Sequence, residues 1–262
     1  MQLVDIGANL THPAFHADLP EVLARAREAG VGKIVVTGTS VAESVNALKA
    51  AKTHPRLVYA TAGVHPHHAR ECDPSTIPAL RTLAQQQGVV AIGECGLDFN
   101  RNYSPHPDQE KCFEAQIALA IELKKPLFLH SRDCFERFVQ VIKKFNGAFP
   151  KAVAHCFTGS KAELHSYLDL GLHIGITGWI CDERRGMHLL ELLRDIPADR
   201  LMLETDSPYL TPRDLRPQPK ARRNEPCHLP HILRTVARAL GKPPEQVAAD
   251  TTRTAQAFFG LQ

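Results

Sequence analysis

An α/β protein folded as a TIM (β/α)8 barrel is what this sequence predicts, and three observations predict it. Short apolar runs alternate with amphipathic segments through all 262 residues, with no long linker or low-complexity tract. Eight such runs recur at spacings of roughly 22–37 residues, the interval of a strand–helix unit in a barrel of ~250 residues. Four of them lead into a ligand-type side chain: Val89-Val90-Ala91-Ile92 precedes Glu94, and Leu127-Phe128-Leu129 precedes His130. Likewise Ala152-Val153-Ala154 precedes His155, and Leu201-Met202-Leu203 leads through Glu204 to Asp206. Barrels of this type build their active sites from the C-terminal ends of the strands. A doubly wound open sheet would carry a Gly-rich phosphate turn after its first strand, where this chain has Gly7-Ala8-Asn9-Leu10. One barrel domain over residues 1–262 is therefore expected.

The elements follow in order. Leu3 to Ile6 opens as a strand, and a helix over Leu19–Ala29 takes Asp18 as N-cap and Gly30 as its stop. Lys33–Thr37 is the second strand. The helix after it starts at Ser40, with Glu43 completing a capping box. Leu57–Thr61 is the third strand and runs into Gly63-Val64-His65. A helix over Ser75–Gln86 leads to the strand before Glu94, which sits just past that strand's end. Asp108–Leu123 has Phe113, Ile117 and Ala120 at helical spacing, with Pro126 beyond its end. Helices over Phe135–Phe145 and Ser160–Leu170 follow the strands that finish at His130 and His155, the second opening on a Ser160/Glu163 box. His173–Thr177 and Leu201–Glu204 are the seventh and eighth strands. Helices over His228–Leu240 and Glu245–Phe259 close the chain.

Composition narrows the class. Hydrophobic residues at 44% and charged residues at 23% are ordinary for a globular protein, and no apolar run approaches the ~20 residues of a membrane span. Asp5 stands where a secretory leader needs basic and then apolar residues. Seven scattered cysteines without a Cys-x-x-Cys pair suit reduced thiols. A cytoplasmic protein that makes no membrane contact is expected. The net charge of +3 is too mild to prove a nucleic-acid partner. Arg213, Arg216, Lys220, Arg222 and Arg223, however, cluster in one proline-rich stretch after Asp206, opposed only by Asp214.

Several ionisable groups gathered at strand ends are costly to bury unless they pair or coordinate a metal. Two histidines and two carboxylates make a mixed nitrogen and oxygen site that suits Zn²⁺, Mn²⁺ or Fe²⁺ at least as well as Mg²⁺. A divalent metal there lowers the pKa of bound water and polarises an electrophile, which implies hydrolysis. Asp206 is placed to hold that water and accept its proton. His65 and His67, in Gly63-Val64-His65-Pro66-His67-His68, are candidates to neutralise a phosphate or protonate a leaving group, and Arg132, Arg222 and Arg223 are weaker phosphate-binding candidates. Cys95 and Cys156 adjoin ligands but should point away as small core residues, because side chains alternate along a strand. His12, His16 and His54 read as ordinary surface residues. Phe99, Tyr103 and Trp179 are candidates to stack on bases, with loop packing as the simpler role for each.

Five motifs in order resemble the signatures of TatD-type metal-dependent deoxyribonucleases: Gly63 to His67, Gly93 to Asp98, His155 to Gly159, Leu203 to Leu210, and Arg223 to Pro226. Gly175 to Trp179 and Cys181 to Gly186 are similar to the bacterial branch of that family. The resemblance implies a barrel of the metal-dependent hydrolase kind. It also implies Mg²⁺-dependent 3′→5′ exonuclease action on single-stranded DNA and RNA, which suits DNA repair or turnover by a monomer. By motif, Glu94, His130 and His155 match metal ligands, Asp206 matches the strand-end aspartate, and His65 and His67 match phosphate-binding histidines. The chain departs at the first strand, where the family has an Asp-x-His-x-His or similar motif and this sequence has Gly7 and Asn9. A second metal depending on that strand, Glu94 and Asp206 is thus weakened. Two rival readings remain: a hydrolase of a small amide or lactone, and a non-catalytic quality-control protein with a decayed site.

Overall fold

A computed structural model describes residues 2–145, 147–219 and 222–262; Lys220 of the basic stretch lies outside them. Eight strands form one sheet in the order of the chain: β1 (Leu3–Ala8), β2 (Val31–Val36), β3 (Val58–Ala62), β4 (Val89–Asp98), β5 (Leu127–Arg132), β6 (Ala152–Ala154), β7 (His173–Ile176) and β8 (Leu201–Leu203). The helices between and after them are α1 (Leu19–Glu28), α2 (Val41–Thr53), α3 (Thr76–Ala84), α4 (His106–Leu123), α5 (Phe135–Lys144), α6 (Lys161–Asp169), α7 (Met187–Leu192), α8 (Leu229–Leu240) and α9 (Pro244–Phe259). The ladders described are all parallel, and a further parallel bridge joins Ala8 at the end of β1 to Ser207 beyond β8. This is the nearly closed (β/α)8 barrel that the alternation predicts.

Every residue of β1, β6 and β8 is buried, as expected for parallel strands covered on both faces. The described residues gather into two compact units, each built from separated stretches of chain. One comprises residues 37–155 and 166–173, and the other residues 1–36, 156–165 and 174–262. In the first, Phe113, Phe128 and Phe138 are fully buried, with the Phe113 and Phe138 rings stacked at 5.5 Å.

Helix starts follow local chemistry. Ser40 Oγ accepts the Glu43 N–H at 3.1 Å, and Ser160 and Glu163 exchange reciprocal bonds at 2.6 and 3.3 Å. Asp18 precedes α1 but makes no capping bond. Its carboxylate accepts instead from Arg25 at 3.3 Å and Arg223 at 2.8 and 2.7 Å, because two guanidiniums outcompete a neutral N–H. The segment after β7 is irregular: a 3-10 turn over Gly178–Cys181 precedes the six-residue α7.

Candidate metal centre

Glu94 and His130 lie within strands rather than past their ends. β4 continues beyond Glu94 to Asp98, pairing Gly96 with His130 and Asp98 with Arg132. Gly96 makes that continuation possible: its φ is +146°, and a Cβ there would stand 1.9 Å from the His130 carbonyl oxygen. The register shifts between Gly93 and Cys95, so Glu94 occupies an irregularity in the ladder. Such bulges re-aim side chains beside active sites.

Within the unit that spans residues 37–155, imidazoles converge on one oxygen. Glu94 Oε1 lies 2.7 Å from His155 Nε2, 2.9 Å from His130 Nδ1 and 3.3 Å from His65 Nε2. His65, Glu94 and His130 could hold a metal ion together, with one ligand atom from each within 4.8 Å of the others. His65, expected to bind phosphate, thus joins the expected ligands around Glu94, at a slightly longer distance than His155 and His130. Phe128 stacks on the His155 ring at 4.6 Å and orients it. Glu94, His65 and His155 are all buried.

Electrostatics match the geometry. Burial would raise the Glu94 carboxyl, but the attraction of the adjacent His155 and His65 imidazoles and the bonds to His130 and His155 hold it well below the carboxylate range. Burial lowers the His65 imidazole to about 4 against the pull of Glu94, leaving a neutral ring with a lone pair. Burial also opposes a charge on His130, yet Asp98 and Glu94 on its two sides raise it. The field at this point therefore favours a cation, and a divalent metal bound there would take the ionised carboxylate with the imidazoles in their neutral form. The residues fit such an ion.

Asp98 is the group that sequence reasoning missed. Its Oδ2 lies 2.7 Å from His67 Nε2 and 3.4 Å from His130 Nε2, while Oδ1 accepts the N–H groups of Asn100 at 3.0 Å and Arg101 at 2.8 Å. A carboxylate behind a ligating histidine fixes its tautomer and orientation. The available signal was its spacing: four residues after Glu94 on an extended strand, Asp98 returns to the same face. His67, half-buried, reaches the centre through Asp98 and not through Glu94.

The other unit carries Asp206, three residues beyond β8. Asn9 Nδ2 donates to Asp206 Oδ1 at 3.0 Å, and the Asp206 N–H donates to the Gly7 carbonyl at 2.8 Å. The first-strand departure thus has a use: Asn9 orients the aspartate. Buried Glu204 accepts the Cys156 N–H at 2.5 Å. Cys95 is a fully buried core residue as expected, with its thiol pushed up by burial. Cys156 is not; it is half-buried with a left-handed φ of 47°, because β6 ends at Ala154 and strand alternation stops there.

Much of the basic stretch is neutralised. Arg223 bonds Asp18, Glu225 and the Ala14 carbonyl, and Arg213 pairs with Glu183 at 3.1 Å and Asp182 at 3.5 Å. Arg223 therefore anchors its loop, a correction to its reading as a phosphate-binding group. The carbonyl of exposed Arg222 accepts from Thr211 Oγ1 at 2.6 Å, while partly exposed Arg132 lies 4.0 Å from Asp133. Of the expected stacking residues, Phe99 lies on His106 at 3.6 Å and Trp179 on the Arg185 guanidinium at 4.2 Å. Tyr103 is 53% exposed, its ring edge-on to His67 at 4.7 Å.

A parallel barrel with imidazoles around a strand carboxylate defines a metal-dependent hydrolase. A family model for the TatD-related DNases matches residues 4–260, and the chain belongs to that family. The 3′-5′ ssDNA/RNA exonuclease TatD of Pantoea ananatis is 54% identical over 259 residues, covering 99% of this chain and 100% of that protein. The protein of the same name from Klebsiella pneumoniae is 53% identical, covering 99% and 98%. A TatD homologue of Escherichia coli K12 superposes with a TM-score of 0.89 at 26% identity, covering 99% and 98% of the two chains. A TatD family hydrolase of Entamoeba histolytica gives 0.90 at 25% identity, covering 100% and 99%.

Proposed function

We propose that this chain is a 3′→5′ exonuclease that hydrolyses single-stranded DNA and RNA, acting as a cytoplasmic monomer in DNA repair or turnover. The observation that carries the reading is the convergence of His65, His130 and His155 on Glu94 Oε1, joined to family membership and to relatives bearing that activity in their names. Glu94, His130 and His155, with His65 beside them, would hold a divalent metal. Its three imidazoles favour Mn²⁺ or Zn²⁺ in affinity, while Mg²⁺ serves through abundance.

When bound, the metal supplies Lewis acidity toward a phosphate oxygen and lowers the pKa of a coordinated water. Asp206, held by Asn9 through Oδ1, would accept the water's proton and would serve as an auxiliary ligand for a second, weaker ion. His67, braced by Asp98, donates to the departing 3′ oxygen or to a non-bridging oxygen. Arg132 and Arg222 add positive charge for the strand. Phosphate contacts carry no base information, so cleavage is nearly sequence-independent and falls with salt.

A chelator-reversible assay on 3′-labelled single-stranded DNA and RNA, run beside a bound-metal count, tests this. Stepwise release of nucleotides from the 3′ end that stops with EDTA and returns with Mg²⁺ or Mn²⁺ is expected. Absence of hydrolysis in metal-loaded protein would overturn the reading in favour of a small amide or lactone substrate or a decayed site.

A further inference from the structure

Beside His67 the surface opens into a cleft of about 420 Å³ lined by Arg70, Asn102, Ser104, Pro105, His106 and Asp108. Ser104 couples its wall to the candidate site. The Ser104 Oγ is fully buried, donates to the His67 carbonyl at 2.9 Å and accepts the Arg70 N–H at 3.1 Å. Gln109 then clamps the Ser104 carbonyl at 2.8 Å and both backbone groups of Asp98, at 2.8 and 3.1 Å. The cleft is thus built on the same backbone that positions His67 and Asp98.

Two of its side chains are charged and uncommitted. Neither the Arg70 guanidinium nor the Asp108 carboxylate has a hydrogen-bond or ion-pair partner among the described residues. This contrasts with Arg213 and Arg223, which are held by carboxylates. Unpaired opposite charges facing one cleft suit an occupant that is itself bipolar in hydrogen bonding. Tyr103, between two lining residues, offers half of its surface to solvent while its edge rests on His67. A planar ring, an anion and an amino donor are what these three groups recognise.

We infer that this cleft is a nucleotide subsite: it takes the nucleotide of a single strand that flanks the scissile linkage, with its phosphate on Arg70, its base against Tyr103 and its exocyclic amino group on Asp108. The inference rests on the nuclease reading and adds a specificity to it. Cytosine, adenine and guanine carry an exocyclic amino group and thymine does not, so Asp108 adds a modest bias against thymidine at this position to binding that is otherwise phosphate-driven and sequence-independent. Guanidinium contact with phosphate is charge-assisted and oriented, and base–aromatic stacking tolerates any base.

The test uses binding, which does not depend on turnover. Fluorescence anisotropy measures Kd for phosphorothioate-linked dodecamers of deoxycytidine and of thymidine, which resist hydrolysis, on the wild-type chain and on Arg70→Ala, Tyr103→Ala and Asp108→Asn. Arg70→Ala is expected to weaken both oligomers about tenfold and to reduce the salt slope by about 0.7, one phosphate contact on a single strand. Tyr103→Ala weakens both about fivefold or more, in line with lost stacking. Asp108→Asn removes most of the preference for deoxycytidine over thymidine. Kd values within twofold of wild type for both Arg70→Ala and Tyr103→Ala, with an unchanged salt slope, would overturn the subsite. Loss of the nuclease reading registers separately, as absent hydrolysis of ordinary phosphodiester DNA by the metal-loaded wild type.

Discussion

Replacing Asp98 by asparagine separates the metal centre from the scaffold around it. Oδ1 of Asp98 accepts the Asn100 and Arg101 N–H groups, and Oδ2 faces His67 at 2.7 Å and His130 at 3.4 Å. Asparagine keeps a carbonyl oxygen for the two N–H groups and puts an amide NH2 where Oδ2 stood. The flipped rotamer is disfavoured because it would point donors at donors. The loop stays intact, while His67 loses an ionised acceptor worth about 1.5–3 kcal/mol and His130 loses the carboxylate charge 3.4 Å from its Nε2. Partners of this kind behind metal ligands typically change metal affinity or activity by about 10–100-fold. Asp98→Asn is therefore expected to weaken Mn²⁺ binding, read by calorimetry, and hydrolysis of 3′-labelled DNA by that range, with a Tm within a few degrees of wild type. Asp98→Ala also removes the acceptor for the Asn100 and Arg101 N–H groups, which turn to solvent at a net cost of about 0.5–1.5 kcal/mol each, and should melt lower than the asparagine variant. An asparagine variant with wild-type metal affinity and wild-type hydrolysis would refute the chain from Asp98 through His130 to the metal.

Glu94→Gln removes the charge on which three imidazoles converge; metal binding and hydrolysis should vanish while circular dichroism is preserved, and residual metal-dependent cleavage would count against the site. Gly96→Ala forces a Cβ to within 1.9 Å of the His130 carbonyl at a φ of +146°, so Tm and metal affinity should fall together; a loss of neither would show that the β4–β5 pairing yields without effect. The Arg223 hydrogen bonds lower the Asp18 carboxyl from 3.8 to about 2. A depressed acid contributes its stability above its unfolded pKa and loses it as pH falls through the folded value. The Tm gap between wild type and Asp18→Asn should accordingly be full above pH ~4 and close toward pH ~2; a gap constant across that range would remove Asp18 from the loop anchor.

What could be read in the chain was local or periodic. Eight apolar runs at regular intervals, Ser-x-x-Glu starts and strand-associated Glu94, His130, His155 and Asp206 identify the barrel and nominate its chemistry, because strand and helix periodicities are imposed residue by residue. The basic stretch misled for the same reason. Its charges are visible in sequence, but the carboxylates that occupy Arg223 lie at Asp18 and Glu225, and Asp18 is 205 positions away.

Tertiary structure alone decided where the strands stop, which carboxylate supports which histidine, and which side chain Asn9 orients. β4 runs through Glu94 to Asp98 because its pairing with β5 continues, a fact about a neighbour and not about Val89–Ile92. Asn9 reads as a weak ligand in isolation and becomes an orienting donor only where folding brings it 3.0 Å from Asp206, a sequence separation of 197. Periodicity encodes which face of an element is buried; which charges meet there depends on contacts between distant segments, and only the folded chain supplies those.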